Sequence, residues 1–271
     1  MKIGFIGTGN MGGALAKAVS TGIIKKEIVI SDKDISKADA LAKQIGVQAS
    51  YNTEIAKNAK YIVLGVKPQF MADCLSEIKA DLATRAKLED RFVLVTMAAG
   101  VKMEKIQELA GGKYPVIRIM PNLAAAVGKA VIMMAKNDLV IDTEAEDFRK
   151  MFSAAGLVDE IDESLIDAGM AISGCGPAYV FMAIEALADG GVRCGLPRDK
   201  ALLYAKKTIE GSAAYALDSD KHPEALKDAV CSPAGTTIEG VAVLEQMGFR
   251  SALMEAVQAA YDKSVDLGKG K

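Results

Sequence analysis

The chain has 271 residues, of which 51% are hydrophobic and 25% are charged, and its formal net charge is -2. This is the composition of a globular protein with one or two sizeable cores. The scattered lysines and arginines argue against a nucleic-acid surface or an anionic-membrane patch, and with no tryptophan there is no set of base-stacking platforms.

The cysteine and histidine content argues against metal and triad chemistry. His222 is the only histidine, and no cysteine stands in a CxxC pair or at metal-ligand spacing among Cys74, Cys175, Cys194 and Cys231. We therefore expect no metal site and no Ser-His-Asp triad, and reduced thiols in a cytoplasmic protein. The first residues lead directly into a strand, so no signal peptide is expected. The uncharged run 168–184 is short for a membrane span and favours a pair of buried helices.

The first half of the chain alternates strand-like and helix-like segments. Short β-branched runs predict buried parallel strands, and the Ala/Lys/Glu-rich segments between them have helical periodicity. This alternation predicts a doubly wound, mostly parallel α/β sheet of the Rossmann type. The predicted strands are KIGFIG, EIVIS, YIVLGV, RFVLVT and PVIRIM, with KAVIMMAK and LVDEIDE as further candidates.

The segment GTGNMG follows the first predicted strand and precedes the first predicted helix. In such a loop the first glycine permits a tight turn, the second lets backbone approach a diphosphate, and the third lets helix and strand pack closely. The diphosphate would meet the free N–H groups of the helix N-terminus. A purely structural glycine turn is the less favoured alternative. The predicted nucleotide contacts here are Ile6, Gly7, Thr8, Gly9, Asn10, Met11 and Gly12.

Asp32 ends the second predicted strand, about twenty residues after the glycines. A carboxylate at this point binds the ribose 2′-hydroxyl and disfavours a 2′-phosphate, which favours NADH over NADPH. Lys33 follows directly and would offset that repulsion, so the preference for NADH is mild. The alternative is that Asp32 caps the following helix.

Two loops after later strands are candidates for the nicotinamide half of the nucleotide. Open α/β sheets bind ligands at the carboxyl ends of their strands, which is where both loops lie. For Lys67 a structural role before Pro68 is favoured over a catalytic one. The predicted contacts are Gly65, Val66, Lys67, Pro68, Met97, Ala98 and Ala99.

After residue 162 the strand signals stop and helical periodicity continues. The prolines of this half stand where helices would begin, at Pro177, Pro197, Pro223 and Pro233. We therefore predict a dinucleotide-binding domain, 1–162, and an all-helical domain, 163–271. His222 precedes Pro223, so a capping or surface role is favoured over proton transfer.

Two segments of the helical half suit the binding of a small carboxylate. SGCGP (173–177) and SPAGTT (232–237) place glycines, hydroxyls and free N–H groups where helices begin. With no metal and no nucleophile–base pair, the chemistry would fall to a cofactor. A kink between buried helices is the alternative for SGCGP, and a helix cap is the alternative for Thr237.

Through most of its length the chain resembles the pyrroline-5-carboxylate reductase family. The resemblance rests on IGFIGTGNMGGAL, GVKP, AAGV, IRIMPNLAAAVGKA, SGCGPAYVF, HPEALKDAVCSPAGTTIEGVAVLE and GFRSALMEAV. Three residues depart from the family pattern. Cys175 stands where serine is usual, Ala234 where glycine is usual, and Asp32 where a small neutral residue is frequent.

The resemblance implies reduction of 1-pyrroline-5-carboxylate to L-proline by NADPH or NADH. It also implies that the helical domain binds substrate and forms a homodimer, which in the family often assembles into decamers. Thr237 matches the threonine that hydrogen-bonds the ring nitrogen, and it is the catalytic candidate. Asn52 matches an adenosine contact and Asn122 a position near the active site, with a helix cap and a turn as their respective alternatives. The implied substrate contacts are Ser173, Gly176, Ser232, Gly235, Thr236 and Thr237.

Two other functions are the alternatives to this one. A β-hydroxyacid dehydrogenase of the 6-phosphogluconate type has a similar layout but uses a lysine in the first long helix after the sheet. The corresponding segment, SGCGPAYVFMAIEALADGG, has none. A non-catalytic nucleotide-binding protein would need only the fold, not the SPAGTT and MPN segments.

Overall fold

The computed structural model describes residues 2–22 and 25–268. It forms two compact units: the first runs to Gly174 and takes in the segment from Tyr261, and the second is Cys175–Ala260. The first unit thus extends beyond residue 162, the predicted end of the first domain. The predicted domain ranges also include residues 1, 23, 24 and 269–271, which lie outside the described residues.

An eight-stranded sheet forms the centre of the first unit, in the order β3-β2-β1-β4-β5-β6-β7-β8. Among the described strand pairs only β6–β7 is antiparallel. The predicted doubly wound fold is confirmed, but β3 was missed because its two residues carry no apolar run. The strands are β1 (Ile3–Ile6), β2 (Ile28–Ser31), β3 (Gln48–Ala49), β4 (Tyr61–Leu64), β5 (Val93–Thr96), β6 (Val116–Met120), β7 (Ala130–Lys136) and β8 (Gly156–Glu160).

Helices cover both faces of this sheet, so consecutive strand residues enter two different cores. On β4, Tyr61 and Val63 point into one core, and Ile62 and Leu64 point into the other. This explains why the strand sequences are apolar throughout rather than alternating. The helices are α1 (Asn10–Gly22), α2 (Ile35–Ile45), α3 (Asn52–Asn58), α4 (Met71–Lys87), α5 (Met103–Ala110), α6 (Asp142–Phe152) and α7 (Ile166–Ser173).

The strand order reverses direction at β1. From β1 the chain goes to β2 on one side, and it later returns to β4 on the other side. In open α/β sheets this reversal leaves a crevice at the carboxyl ends of the strands, where ligands bind. The glycine loop begins at that crevice.

The second unit is helical, as predicted. Its helices are α8 (Gly176–Arg193), α9 (Arg198–Leu217), α10 (Pro223–Val230), α11 (Thr236–Gln246) and α12 (Phe249–Gly268), of which the part from Tyr261 belongs to the first unit. Pro177, Pro197 and Pro223 stand at helix starts, but the same prediction is wrong for Pro233, which lies in the turn before α11.

The prediction of buried helices in this half is wrong for the single chain. The buried cluster of the second unit consists of Ala188, Ala201 and Ala205. On α8, by contrast, Phe181 and Met182 are 56% and 69% exposed. By length and composition alone, the helical stretch Glu163–Arg193 is apolar enough to cross a membrane.

Candidate active site

The glycine loop joins β1 to α1 with a backbone that requires glycine at two points. Gly7 has a φ of 101°, a left-handed value that favours glycine. A Cβ on Gly12 would collide with the carbonyl oxygen of Gly7, whereas a Cβ on Gly9 would meet no atom within 4 Å. The open space at Gly9 leaves the loop backbone accessible to a diphosphate. The first turn of α1 has no acidic residue, so its free N–H groups suit an anion.

The loop opens into a cleft of about 670 Å³ at the carboxyl ends of β1, β2 and β4. Ligand pockets typically measure about 300–1,000 Å³, so the cleft has the size of a cofactor site. The predicted nucleotide contacts that line it are Ile6, Gly7, Gly9, Asp32, Asn52, Gly65, Val66 and Lys67.

The Asp32 carboxylate ties the glycine loop to the end of β2. Its Oδ2 accepts from the backbone N–H of Thr8 at 2.7 Å and from the Thr8 hydroxyl at 2.9 Å. Its Oδ1 accepts from the backbone N–H of Asp34 at 3.0 Å. Asp34, rather than Asp32, caps α2, so the capping alternative for Asp32 is wrong. The carboxylate still borders the cleft, where its negative charge would repel a phosphate on the ribose 2′ position.

The Asn52 side chain is bonded to two other residues of the cleft wall. Its Oδ1 accepts from the Ser31 hydroxyl at 2.6 Å, and its Nδ2 donates to Glu77 Oε2 at 2.7 Å. Tyr51 occupies the cap position of α3 and makes no side-chain capping bond, so the capping alternative for Asn52 also fails. The chain of bonds links the end of β2, the start of α3 and the interior of α4. A direct adenosine contact by Asn52 stays a prediction.

Several residues of the cleft were not identified from the sequence. Tyr51 and Phe70 present rings that are 66% and 52% exposed. Single exposed aromatic residues are common on protein surfaces, and their sequence context here carries no ligand signature. The other unpredicted lining residues are Ser31, Ile35, Lys37, Ser50, Asp73, Cys74 and Glu77, while Lys33, considered from the sequence beside Asp32, also lines the cleft.

Cys74 lines the cleft but is unsuited to covalent chemistry. Burial, together with the charge of Glu77, raises the pKa of its thiol to about 12. The thiol therefore stays protonated and unreactive at neutral pH.

The remaining predicted nucleotide contacts do not line this cleft. Most of them belong to the glycine loop and the start of α1, to the turn that begins at Pro68, or to the loop after β5. In that loop the backbone N–H of Ala98 donates to Thr96 Oγ1 at 3.3 Å, and Gly100 turns the chain with a φ of 72°. The contacts outside the cleft are Thr8, Asn10, Met11, Gly12, Pro68, Met97, Ala98, Ala99 and Asn122.

Asn122 follows β6 and is buried, with 9% of its surface exposed. Its Nδ2 donates to the backbone carbonyl of Ser173 at 2.9 Å, whereas its Oδ1 has no hydrogen-bond partner. It precedes a 3₁₀ turn without capping that turn through its side chain. The structure thus connects a predicted nucleotide contact to a predicted substrate contact.

In the second unit, residues 231–237 form a turn that leads into α11. The backbone N–H of Gly235 donates to the Ser232 carbonyl at 3.0 Å. Gly235 is the cap residue of α11, and no side chain caps this end, so the N–H groups of the first turn are available to an anion. Thr236 and Thr237 are exposed in that turn. Thr237 is therefore inside the helix, and the alternative of a Thr237 cap is wrong.

The backbone of this turn departs from ideal geometry at Ala234. Its φ of 55° is left-handed, a conformation that costs a residue other than glycine roughly 1–2 kcal/mol. A Cβ on the neighbouring Gly235 would crowd Ser232 Oγ, so a side chain there would force that hydroxyl to turn away. The strain is stored in the segment predicted to hold the substrate.

The segment Ser173–Pro177 connects α7 to α8. Gly174 and Cys175 keep right-handed helical dihedral angles between the two helices. A Cβ on Gly176 would meet no atom within 4 Å, so this backbone also borders open space. The Ser173 hydroxyl donates to the Gly169 carbonyl at 3.0 Å. A ligand contact by Ser173 or Gly176 stays a prediction.

His222 caps α10, as expected, because its Nδ1 accepts from the backbone N–H of Glu224 at 3.3 Å. Among the described residues, no group of three or more His, Cys, Asp and Glu side chains is arranged to hold a metal ion.

Two family models match the chain. Residues 163–267 match the model for pyrroline-5-carboxylate reductase dimerisation. Residues 2–100 match a model described as NADP oxidoreductase, coenzyme F420-dependent. The two matches fall on the helical half and on the half that carries the glycine loop.

Relatives are similar over nearly the whole chain. The pyrroline-5-carboxylate reductase of Pisum sativum is 41% identical, with 98% of this chain and 95% of the relative aligned. That of Escherichia coli is 40% identical, with 99% and 98% aligned. A crystal structure of the Plasmodium falciparum pyrroline carboxylate reductase with NADP bound is 33% identical, with a TM-score of 0.85 over 99% of this chain and 98% of that one. The Coxiella burnetii pyrroline-5-carboxylate reductase structure has a TM-score of 0.90 at 29% identity, covering 98% of each chain.

Proposed function

Because the chain belongs to the pyrroline-5-carboxylate reductase family, we propose that the cleft at the glycine loop holds the nicotinamide nucleotide and that the turn before α11 holds the substrate. The enzyme reduces 1-pyrroline-5-carboxylate to L-proline with NAD(P)H, the final step of proline biosynthesis. The full-length similarity at about 40% identity is the observation that carries this function and that removes both alternatives weighed from the sequence.

The reaction needs little acid–base machinery from the protein. A nicotinamide nucleotide held at the glycine loop would supply the hydride for the imine carbon, with the C=N π electrons passing to the ring nitrogen. If the substrate binds with a protonated nitrogen, its carbon is already electrophilic, and the residues mainly bind and align it. The Thr237 hydroxyl is proposed to hydrogen-bond the ring nitrogen and to donate or relay a proton. This role agrees with its exposure in the first turn of α11.

The start of α11 is proposed to bind the substrate carboxylate. Its first-turn N–H groups have no side-chain cap, and a helix N-terminus favours an anion. Ser232, Gly235 and Thr236 would surround the carboxylate and the ring. Ser173 and Gly176 are proposed as further contacts, supported by the open space beside Gly176.

The nucleotide is proposed to place its diphosphate on the glycine loop and its adenosine among the residues of the cleft. Open space at Gly9 and the absence of an acidic residue from the first turn of α1 support the diphosphate position. The nicotinamide half is assigned to the loops after β4 and β5, with Asn122 as a further contact. The buried Oδ1 of Asn122, which lacks a partner, is suited to accept from the nicotinamide carboxamide.

For the choice of nucleotide we propose use of both, with a mild preference for NADH. The Asp32 carboxylate borders the cleft and opposes a 2′-phosphate, while Lys33 and Lys37 on the same wall attract one. Because Asp32 is held by Thr8 and Asp34, its charge cannot easily turn away from the cleft. The balance of these charges predicts that kcat/KM for NADH and for NADPH differ by a small factor, rather than exclusive use of one nucleotide.

The second unit is proposed to form a homodimer, with decamers as a higher assembly, in the cytoplasm. The match to the dimerisation model and the exposed apolar side chains of α8 support the dimer. Large apolar side chains exposed together on a globular protein mark an interaction surface.

Steady-state kinetics with purified protein test these assignments together. We expect NADH and NADPH oxidation only after pyrroline-5-carboxylate is added, with kcat/KM higher for NADH. No turnover with either nucleotide would remove the function. The variant Asp32→Asn is expected to move the ratio several-fold towards NADPH, because it removes the charge that opposes the phosphate. An unchanged ratio would reject this role for Asp32.

A further inference from the structure

Strand β6 and the residues that follow it hold α7 near both of its ends. Before and within the first turn of α7, Arg118 Nη1 donates to Glu163 Oε1 at 3.2 Å, and Arg118 Nη2 lies 3.8 Å from Asp167 Oδ1. At the last residue, Asn122 Nδ2 donates to the Ser173 carbonyl at 2.9 Å. The bond from Asn122 fixes the point at which the Ser-Gly-Cys-Gly segment begins.

The lengths of the two elements match. Arg118 and Asn122 are four residues apart on extended backbone, which corresponds to about 13 Å. The eight residues of α7 rise by about 12 Å. Two bonds at this spacing fix both the position and the direction of α7 along the strand.

The two residues of this clamp also carry unmatched polar atoms. Within the described residues, the buried side-chain nitrogen and oxygen atoms without a hydrogen-bond partner are Arg118 Nε, Arg118 Nη2 and Asn122 Oδ1. A buried polar atom without a partner destabilises the folded chain, because it gives up its hydrogen bonds to water. An apolar pair would hold a helix to a sheet without that cost. Buried groups left unsatisfied in this way call for an explanation beyond packing.

From this geometry we infer that Asn122 is a positioning residue for the substrate, because its amide donor holds the backbone of Ser173. The inference rests on the proposed function, in which Ser173 contacts the substrate. The two polar ends of Asn122 then have separate tasks: Oδ1 is the proposed acceptor for the nucleotide, and Nδ2 places Ser173. Arg118 supports this role by anchoring the other end of α7.

Asn122→Asp separates these two tasks. The substitution keeps an oxygen at Oδ1 but replaces the donor with an oxygen that repels the Ser173 carbonyl. We expect the KM for pyrroline-5-carboxylate to rise about tenfold, as for loss of one hydrogen bond, with the nucleotide KM within about twofold of wild type. With a nucleotide deuterated at the transferred position, the isotope effect on kcat should increase, because a misplaced substrate slows the hydride step.

Acidic pH should partly rescue this variant. Once protonated, the introduced carboxyl group can donate to the Ser173 carbonyl as the native amide does. The deficit of Asn122→Asp relative to wild type, measured at each pH, should therefore shrink as the pH falls. Loss of packing alone would not have this pH dependence.

Asn137→Asp is the matched control. Asn137 sits at the other end of β6, where its Nδ2 donates to the Tyr114 carbonyl and its Oδ1 accepts from the Val116 N–H, each at 3.0 Å. This variant should lower the melting temperature and leave both KM values and the isotope effect unchanged. If Asn122→Asp does not fold, Asn122→Ser removes both polar groups without adding a charge, and the isotope effect on kcat, which should still increase, then becomes the readout.

Two results would overturn the inference. One is a folded Asn122 variant with the wild-type substrate KM and isotope effect. The other is an Asn122→Asp variant that loses as much nucleotide affinity as substrate affinity. The failure of the proposed function is a separate outcome, since wild-type enzyme would then show no turnover of pyrroline-5-carboxylate.

Discussion

The two units of the chain bury their apolar residues to very different degrees. In the first unit the central strands are fully buried, and side chains such as Phe5, Tyr61 and Phe148 have no exposed surface. In the second unit the buried cluster consists of three alanines, while four large side chains are 56–77% exposed: Phe181, Met182, Met247 and Met254. The first unit thus contains its own cores, whereas the second exposes the residues from which a core would be built.

An apolar residue therefore has a different structural meaning in each unit. In the first unit an apolar residue reports packing within the chain, because the sheet and its helices cover one another. In the second unit it reports a surface that needs a partner, which we propose to be a second copy of this chain. Substitutions in the two units test whether apolar residues pack within the chain or against a partner.

Phe181→Asp is expected to have the largest effect, because it places a charge on the exposed apolar face of α8. An unpaired carboxylate buried in a dimer interface typically costs several kcal/mol, so the dimer should dissociate. Size-exclusion chromatography with light scattering would show the change in mass. The control is Leu88→Asp. Leu88 directly follows α4 and is 73% exposed, so a carboxylate there should leave the mass unchanged. A monomeric wild type, or a mass unaffected by Phe181→Asp, would refute an interface at α8.

Phe148→Ala tests the core of the first unit. Phe148 is fully buried and stacks on Phe152 with ring centroids 4.2 Å apart. Its truncation should lower the free energy of unfolding by about 3–5 kcal/mol, as cavity-forming substitutions do. Urea denaturation at fixed protein concentration and without nucleotide measures this loss. Phe70→Ala, at a 52% exposed ring of the same unit, should cost less than about 0.5 kcal/mol.

Thr237→Ala tests whether substrate turnover depends on the second unit while nucleotide binding depends on the first. It removes the hydroxyl proposed to bond the ring nitrogen, so kcat should fall about tenfold to a hundredfold. Nucleotide affinity, which we assign to the first unit, should stay near wild type in a fluorescence titration. Thr237→Ser keeps a hydroxyl and should recover most of the activity. Unchanged turnover in the alanine variant would reject a polar role for this side chain.

Ala234→Gly is expected to have the smallest effect, a gain in stability of up to about 1 kcal/mol. Glycine relieves the left-handed strain at a φ of 55°, but it also adds freedom to the unfolded chain. Thermal unfolding would detect the shift. Ala213→Gly, in the interior of α9, should instead lower stability by about 1 kcal/mol. A loss of stability in both variants would argue against strain at Ala234.

Much of the fold and part of the candidate site could be predicted because their causes are local in sequence. Continuous β-branched runs identified the strands, and the spacing of Gly7, Gly9 and Gly12 identified the turn that the structure contains. The resemblance to one family identified the reaction, since several of its motifs occur together. The two-residue strand β3 was missed because it has no apolar pattern of its own.

The bonds that shape the site link residues far apart in the chain, and they could not be predicted in this way. Asp32 bonds Thr8, Asn52 bonds Glu77, and Asn122 bonds Ser173, each pair brought together by the packing of strands and helices. A polar residue can have many partners within reach, and its sequence neighbours do not indicate which one is chosen.

The class of fold, the family and the reaction follow from the amino-acid sequence, because periodicity, glycine spacing and motifs lie in consecutive residues. Which apolar helices stay exposed and which buried polar atoms lack partners is visible only in the folded chain. Burial and hydrogen-bond pairing depend on what the rest of the chain covers, and that becomes definite only once the chain has folded.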